Sequence, residues 1–220
     1  MPMPTETALK GRARALLEAM TERARWMYAV PRDHDEAATA QAILENAGLR
    51  VEERDEKAHV LRLSLEGKNA SFVLFDSPDL EVLLVEGTGS DAPEYLARVL
   101  EKTGFYAQSQ LLKTALNIRD EEATKALKTL AHMVVAWDED WSDLFLLHLA
   151  SPDPIVRHEA VMALTIATMV ARDPGPAPAL LEEAKKRENF PKLRDTIHEA
   201  LQLVSGMAGD PVAVNAEPAS

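Results

Sequence analysis

Apolar residues recur every three or four positions through the first thirty residues of the chain. These positions are Leu9, Ala13, Leu16, Leu17, Met20, Ala24 and Met27. The spacing places them on one face of a helix, so it predicts a long amphipathic helix from Thr5 to Val30, ended by Pro31. A second, alanine-rich helix is expected from Asp35 to Ala47, because Gly48 follows where helices commonly end.

Beyond Gly48 the apolar period changes from that of a helix to that of a strand. Four short runs show it: Leu49–Arg54, His59–Leu65, Ala70–Phe75 and Leu80–Glu86. The turns between them are too short for parallel crossovers, so a four-stranded antiparallel meander is expected. The last two runs are apolar on both faces. We therefore expect the second face to be covered by the helices, by the C-terminal half or by another chain.

The C-terminal half is helical in pattern and contains an internal repeat. Pairs of Ala and Leu recur 37 residues apart, at 126–127, 163–164 and 200–201. A further helix is expected before each pair, at 105–116, 141–149 and 177–187. One helical hairpin cannot bury its own apolar face, so the repeat predicts stacked hairpins in a short α-solenoid.

The middle copy resembles a HEAT repeat. Residues 153–164, DPIVRHEAVMAL, have the Asp that opens the second helix of that family, the Val-Arg pair after it, and the inward Ala and Leu. The resemblance covers roughly residues 105–204 and implies a protein-binding scaffold. The N-terminal half is loosely similar to the small acidic α/β chaperones of type III secretion, in element order and charge.

These patterns together predict an α+β fold. Residues 1–103 would form helices with the antiparallel meander, and 104–204 the HEAT-like solenoid. Residues 205–220 are rich in Gly, Pro and Ala without periodicity, which predicts a disordered tail.

Composition narrows the classes of function. The chain has 220 residues, a net charge of −12 and no cysteine, which excludes disulfides and thiol chemistry. No basic stripe favours nucleic acid, and no apolar stretch suggests membrane insertion, so we expect a cytoplasmic protein. The six histidines lack metal-ligand spacing, and no serine lies in a G-x-S-x-G turn. We expect no cofactor and no enzymatic activity.

Six residues are candidates for partner binding. They are Trp137, Trp141, Arg157, Arg194, Val73 and Phe75. The tryptophans flank an acidic run and would anchor a basic partner if exposed, although ordinary repeat packing also explains them. The arginines recur at the repeat period, which favours pairing with an acid of a neighbouring repeat, such as Asp153, Glu159 or Asp195.

Two functions compete on this evidence. The first is a non-enzymatic adaptor or scaffold that binds a protein through the helical-repeat surface. The alternative is a chaperone-like protein, with a homodimer through the N-terminal domain, that binds a client on an apolar sheet face formed by Val73, Phe75, Leu83 and Val85. An enzyme whose site is assembled from distant residues is a third and weaker hypothesis.

Overall fold

The computed structural model describes residues 25–55, 59–118, 122–134, 136–137 and 139–207. The chain divides into two compact units, one ending at Ala136 and the other starting at Trp137. We refer to them as unit 1 and unit 2. The described residues confirm an α+β fold, with the sheet in unit 1 and only helices in unit 2.

Unit 1 contains a five-stranded antiparallel sheet in its described residues. The strands are β1 (Arg25–Pro31), β2 (Leu49–Asp55), β3 (Val60–Leu65), β4 (Ser71–Ser77) and β5 (Val82–Thr88). They lie in the order β1-β5-β4-β3-β2. The four consecutive strands β2 to β5 form the meander that the alternating pattern predicts, and β1 adds to it beside β5.

Two helices cover one face of this sheet. They are α1 (His34–Asn46) and α2 (Ala92–Thr103), and Leu44 and Leu96 from them join the core with Phe72. Close packing at this face depends on Gly87, since a Cβ there would lie 2.6 Å from the Leu96 side chain. The second predicted helix is confirmed as α1, which begins and ends one residue earlier than predicted.

A second helical pair lies in unit 1. Its helices are α3 (Gln108–Ala115) and α4 (Ala123–Ala131), which pack on each other. The Tyr106 N–H donates to the Ala29 carbonyl at 2.9 Å, and Lys125 on α4 lies 3.1 Å from the Glu81 carboxylate. This hairpin consequently belongs to the sheet unit, and the division of the chain falls after Ala136 rather than after 103.

The prediction of a helix over Thr5–Val30 is wrong at its C-terminal end. Residues Arg25–Pro31 form β1, and Tyr28 lies opposite Val85 of β5. Aromatic and β-branched residues favour strands, and the open edge of β5 supplies hydrogen-bond partners for one more strand. The rest of the predicted helix, residues 5–24, lies outside the described residues.

Unit 2 consists of two helical hairpins in its described residues. The helices are α5 (Glu139–Leu149), α6 (Pro154–Ala171), α7 (Ala177–Arg187) and α8 (Pro191–Met207). Helix α6 packs on α5 and α8, and α7 packs on α8. The predicted tail from 205 is too early, because α8 continues to Met207; residues 208–220 lie outside the described part.

The three repeated Ala-Leu pairs occupy equivalent places. They lie on α4, α6 and α8, the second helix of each hairpin, and all six side chains are buried. The helix-turn-helix period of 37 residues is therefore present in the fold. Its first copy is part of unit 1, and only the other two form unit 2.

Candidate functional site

Helix α6 has one face that packs and one that does not. Asp153 caps it by accepting a hydrogen bond from the Ile155 N–H at 2.8 Å, and Pro154 starts its first turn. The packed face consists mostly of small side chains and is buried: Ala160, Val161, Ala163, Leu164, Ala167, Thr168 and Ala171. Small residues let α5 and α8 approach α6 closely.

The opposite face of α6 is apolar and exposed. Ile155, Met162 and Met169 are 69%, 42% and 54% exposed, and they recur every seven residues. Half-buried Ile166 lies on the same side. We call these four residues the α6 stripe; its 14-residue span corresponds to about 21 Å along the helix axis. Exposed apolar patches of this kind mark protein contacts, and methionine adapts its shape to a partner.

The hairpin that carries the stripe is acidic. Residues 138–172 contain six acidic and two basic residues, a formal net charge of −4. Asp153 is exposed beside the first residue of the stripe, and Glu159 lies half-buried one turn further on. Arg172 lies three residues beyond the stripe and is exposed. Glu159 also contacts the neighbouring His158 imidazole, with 3.4 Å between Oε1 and Nδ1.

The other basic residue, Arg157, faces away from the stripe and joins the two hairpins. Its Nε and Nη2 donate to the Glu188 carboxylate at 2.8 and 3.0 Å, and its Nη1 donates to the carbonyls of Ser151 and Pro152. Glu188 Oε1 also accepts the N–H groups of Asn189 and Phe190 at 2.9 Å each. The Glu188 side chain is only 2% exposed.

This ion pair shifts both partners toward their charged forms. The hydrogen bond from Arg157 is the largest cause that holds the pKa of Glu188 below its usual range, and Glu188 in turn raises the pKa of Arg157. Arg157 therefore pairs with an acid of the neighbouring hairpin, as its recurrence predicts. The acid is Glu188, however, and not Asp153, Glu159 or Asp195.

The remaining candidates in unit 2 do not form an exposed anchor. Trp137 donates from Nε1 to the Asp173 carbonyl at 2.8 Å and meets the Phe145 ring edge-on, while Trp141 is buried. Both tryptophans therefore pack within the helical unit. Arg194 is exposed on α8.

The sheet candidates are divided between two faces. Phe75 lies opposite Leu84, in a small cluster to which Met133 also contributes, and Val73 is half-buried beside Glu86. Leu83 and Val85 point to the other face, where they are buried in the core with α1 and α2. The expectation of one apolar face shared by these four residues is therefore wrong, because side chains alternate along a strand.

Unit 1 has a cleft of about 630 Å³ between the start of β5 and the α3–α4 hairpin. Leu80, Val82 and Leu111 contribute apolar surface to it, and Lys125 lies at its edge. The hydrogen bond to Glu81 raises the pKa of Lys125, whose charge is thereby compensated. The cleft is large enough for a ligand, but among the described residues that line it no buried side-chain polar atom lacks a hydrogen-bond partner.

The α6 stripe and Glu188 are the features that the sequence analysis missed. The seven-residue spacing of the stripe is visible in the sequence, but α6 is apolar on all sides, so the pattern does not tell which face packs. Glu188 has no comparable signal because it is 31 residues from Arg157.

Neither a metal site in the described residues nor a similarity to known proteins points to a function for this chain. Among the described residues, no three His, Asp or Glu side chains are close enough to hold a metal ion. Comparison with protein-family models, curated proteins and solved structures gives no match for this chain.

One helix in the described part is long and apolar enough to cross a membrane, namely α6. Its mean hydropathy is only 1.2, and 39% of its residues are buried against the rest of the protein. Core helices of soluble proteins meet the same criteria, so α6 is compatible with a soluble protein.

Proposed function

We propose that this protein is a non-enzymatic adaptor or scaffold, in which HEAT-like helical hairpins bind a protein partner. The observation that carries the proposal is the α6 stripe: three large apolar side chains exposed at regular spacing on a helix whose other face is packed. Burying a side chain of this size contributes roughly 1.5 to 3 kcal/mol. From their exposed fractions, covering Ile155, Met162 and Met169 would contribute roughly 2 to 5 kcal/mol.

The geometry of the stripe favours a helix as the partner element. A seven-residue apolar repeat is the spacing at which two helices pack side by side over several turns. An extended strand would instead need an open sheet edge, and unit 2 has no strand among its described residues. We therefore expect the partner to dock an amphipathic helix along α6.

The Arg157–Glu188 ion pair supports this role indirectly. It fixes the turn between α5 and α6 to the turn between α7 and α8, so the stripe is presented by a rigid pair of hairpins. Rigid surfaces lose less conformational entropy on binding. As part of the same proposal the protein acts in the cytoplasm.

Site-specific photocrosslinking tests this function. A photoreactive amino acid replaces Met162 in the full chain, and a matched variant carries it at Gln202, an exposed polar residue of α8. We expect a crosslinked partner at position 162 that is absent at position 202. The purified partner should then bind the natural chain, and Met162→Glu should weaken that binding at least tenfold.

Two results would contradict the proposal. One is a purified partner that binds the natural chain and the Met162→Glu variant equally well. The other is a crosslink at position 202 as strong as that at 162. Circular dichroism of each variant shows whether the helical unit is intact.

A further inference from the structure

The α6 stripe contains the two methionines that are exposed among the described residues. Met162 and Met169 are 42% and 54% exposed. The other described methionines are half-buried, and two of them, Met27 and Met133, pack against a cluster of buried side chains in unit 1. An oxidant in solution can therefore reach the thioethers of the stripe more easily than those of Met27 and Met133.

The composition of the chain favours oxidation at these side chains. The chain has eight methionines and no cysteine, so no thiol competes with the thioethers for hydrogen peroxide. The sulfur lone pair attacks one peroxide oxygen, the O–O bond breaks and an S–O bond forms. The hydroxide that leaves takes the proton of the transferred hydroxyl group and becomes water. Sulfur loses two electrons, peroxide gains them, and the side chain becomes methionine sulfoxide.

We propose that Met162 and Met169 form a reversible oxidation site that changes the α6 stripe from an apolar to a polar surface. Their seven-residue spacing corresponds to about two helical turns, or about 10 Å along the axis, so one docked helix would cover both. Each sulfoxide adds a strong hydrogen-bond acceptor, and burying it without a donor is unfavourable. Oxidation therefore releases the partner. This release rests on the proposed function, whereas the oxidation site itself does not.

The fold tolerates this change because both methionines lie away from the packed face of α6. That face consists of Ala, Val, Leu and Thr side chains and contains no sulfur. Oxidation inside a core disrupts packing, whereas an exposed position is less sensitive to substitution. The change can then be reversed in the folded protein. Methionine sulfoxide reductases remove the oxygen as water while two thiols of the reductant are oxidised to a disulfide.

Peptide mass spectrometry of the full chain tests the oxidation site without a partner. The folded protein is treated with hydrogen peroxide, and the gain of one oxygen is followed at each methionine. We expect Met162 and Met169 to react at least about threefold faster than Met27 and Met133, with an unchanged circular dichroism spectrum. Reductases specific for each sulfoxide epimer, with dithiothreitol, should reverse the gain. Equal rates at the four positions would refute the oxidation site and would not affect the proposed function.

Retention on a phenyl column measures the polarity of the surface directly. We expect the oxidised chain to elute at a higher salt concentration than the untreated chain, because it binds the apolar matrix more weakly. The double variant Met162→Leu, Met169→Leu has no sulfur in the stripe, so peroxide should not shift its retention. The control variant Met207→Leu should keep the shift, and each variant is compared with its own untreated sample. A shift that persists in the double variant would refute the change of the stripe.

Binding separates the release of a partner from the proposed function. The purified partner of the crosslinking experiment is titrated with untreated and oxidised chain, after catalase has removed the peroxide. We expect oxidation to weaken binding at least about tenfold, reductases to restore it, and the double leucine variant to show no response. If Met162→Glu weakens binding but oxidation does not, the release is refuted and the proposed function remains. If neither weakens binding, the release and the proposed function both fail, and mass spectrometry and retention decide the oxidation site.

Discussion

Removing the guanidinium of Arg157 should strongly destabilise unit 2, because it leaves the buried carboxylate of Glu188 without its charged partner. In Arg157→Met the aliphatic part of the side chain is largely kept, but the carboxylate of Glu188 stays buried with only the Asn189 and Phe190 N–H groups as donors. Breaking a buried ion pair by removing one partner costs about 3 to 5 kcal/mol. The two turn carbonyls of Ser151 and Pro152 also lose their donor.

The repeat supplies a matched control. Arg194 occupies the position 37 residues after Arg157 and is exposed, so Arg194→Met should change the free energy of unfolding by at most about 0.5 kcal/mol. The double variant Arg157→Met, Glu188→Met removes both charges and should recover much of the loss, because no buried charge is left alone.

Amide hydrogen exchange measures the loss of stability in unit 2 separately from unit 1. Peptides from α5 to α8 report the opening of unit 2, and peptides from β3 to β5 serve as an internal reference. A loss of 3 kcal/mol corresponds to roughly a hundredfold faster exchange in the slowest amides of unit 2. Equal exchange in the Arg157→Met and Arg194→Met variants would refute the argument that this ion pair joins the hairpins.

The same pair predicts a pH dependence. Because the pKa of Glu188 is lowered by folding, its contribution is present above the unfolded value of about 4.5 and is lost as pH falls further. Unit 2 should therefore lose stability in acid, and Arg157→Met should have a smaller loss over the same range. An unchanged acid dependence in the variant, followed by hydrogen exchange, would contradict this assignment.

Three further predictions concern single residues. Burial lowers the pKa of His132 to about 4, so the free energy of unfolding of unit 1 should fall by up to about 3 kcal/mol as pH falls from 6.5 to 4. The variant His132→Phe should remove this pH dependence in acid titrations followed by circular dichroism. The control variant His34→Gln should retain it. Gly175→Ala should lower the urea midpoint because a Cβ would collide with the Trp137 ring, whereas Gly206→Ala has open space and should raise it slightly. Asp153→Ala should cost about 1 kcal/mol in the same urea assay through loss of the α6 cap, and an unchanged midpoint would contradict that role.

Local patterns were sufficient for most elements. The alternation after Gly48 predicts β2 to β5, and the short turns between them predict their antiparallel order. The Ala-Leu repeat predicts hairpins whose second helices bury these pairs. These features depend on residues close in sequence, so periodicity and turn length reveal them.

Contacts between distant residues decided the rest. Arg25–Pro31 carries a helical spacing, but it is a strand because the edge of β5, more than fifty residues later, pairs with it. The partner of Arg157 follows from the stacking of two hairpins, not from nearby acids. The α6 stripe depends on the same kind of contact, since α5 and α8 cover the alanine face of α6 and leave Met162 exposed. A sequence specifies which side chains a helix carries, whereas only packing determines which of them remain exposed to a partner.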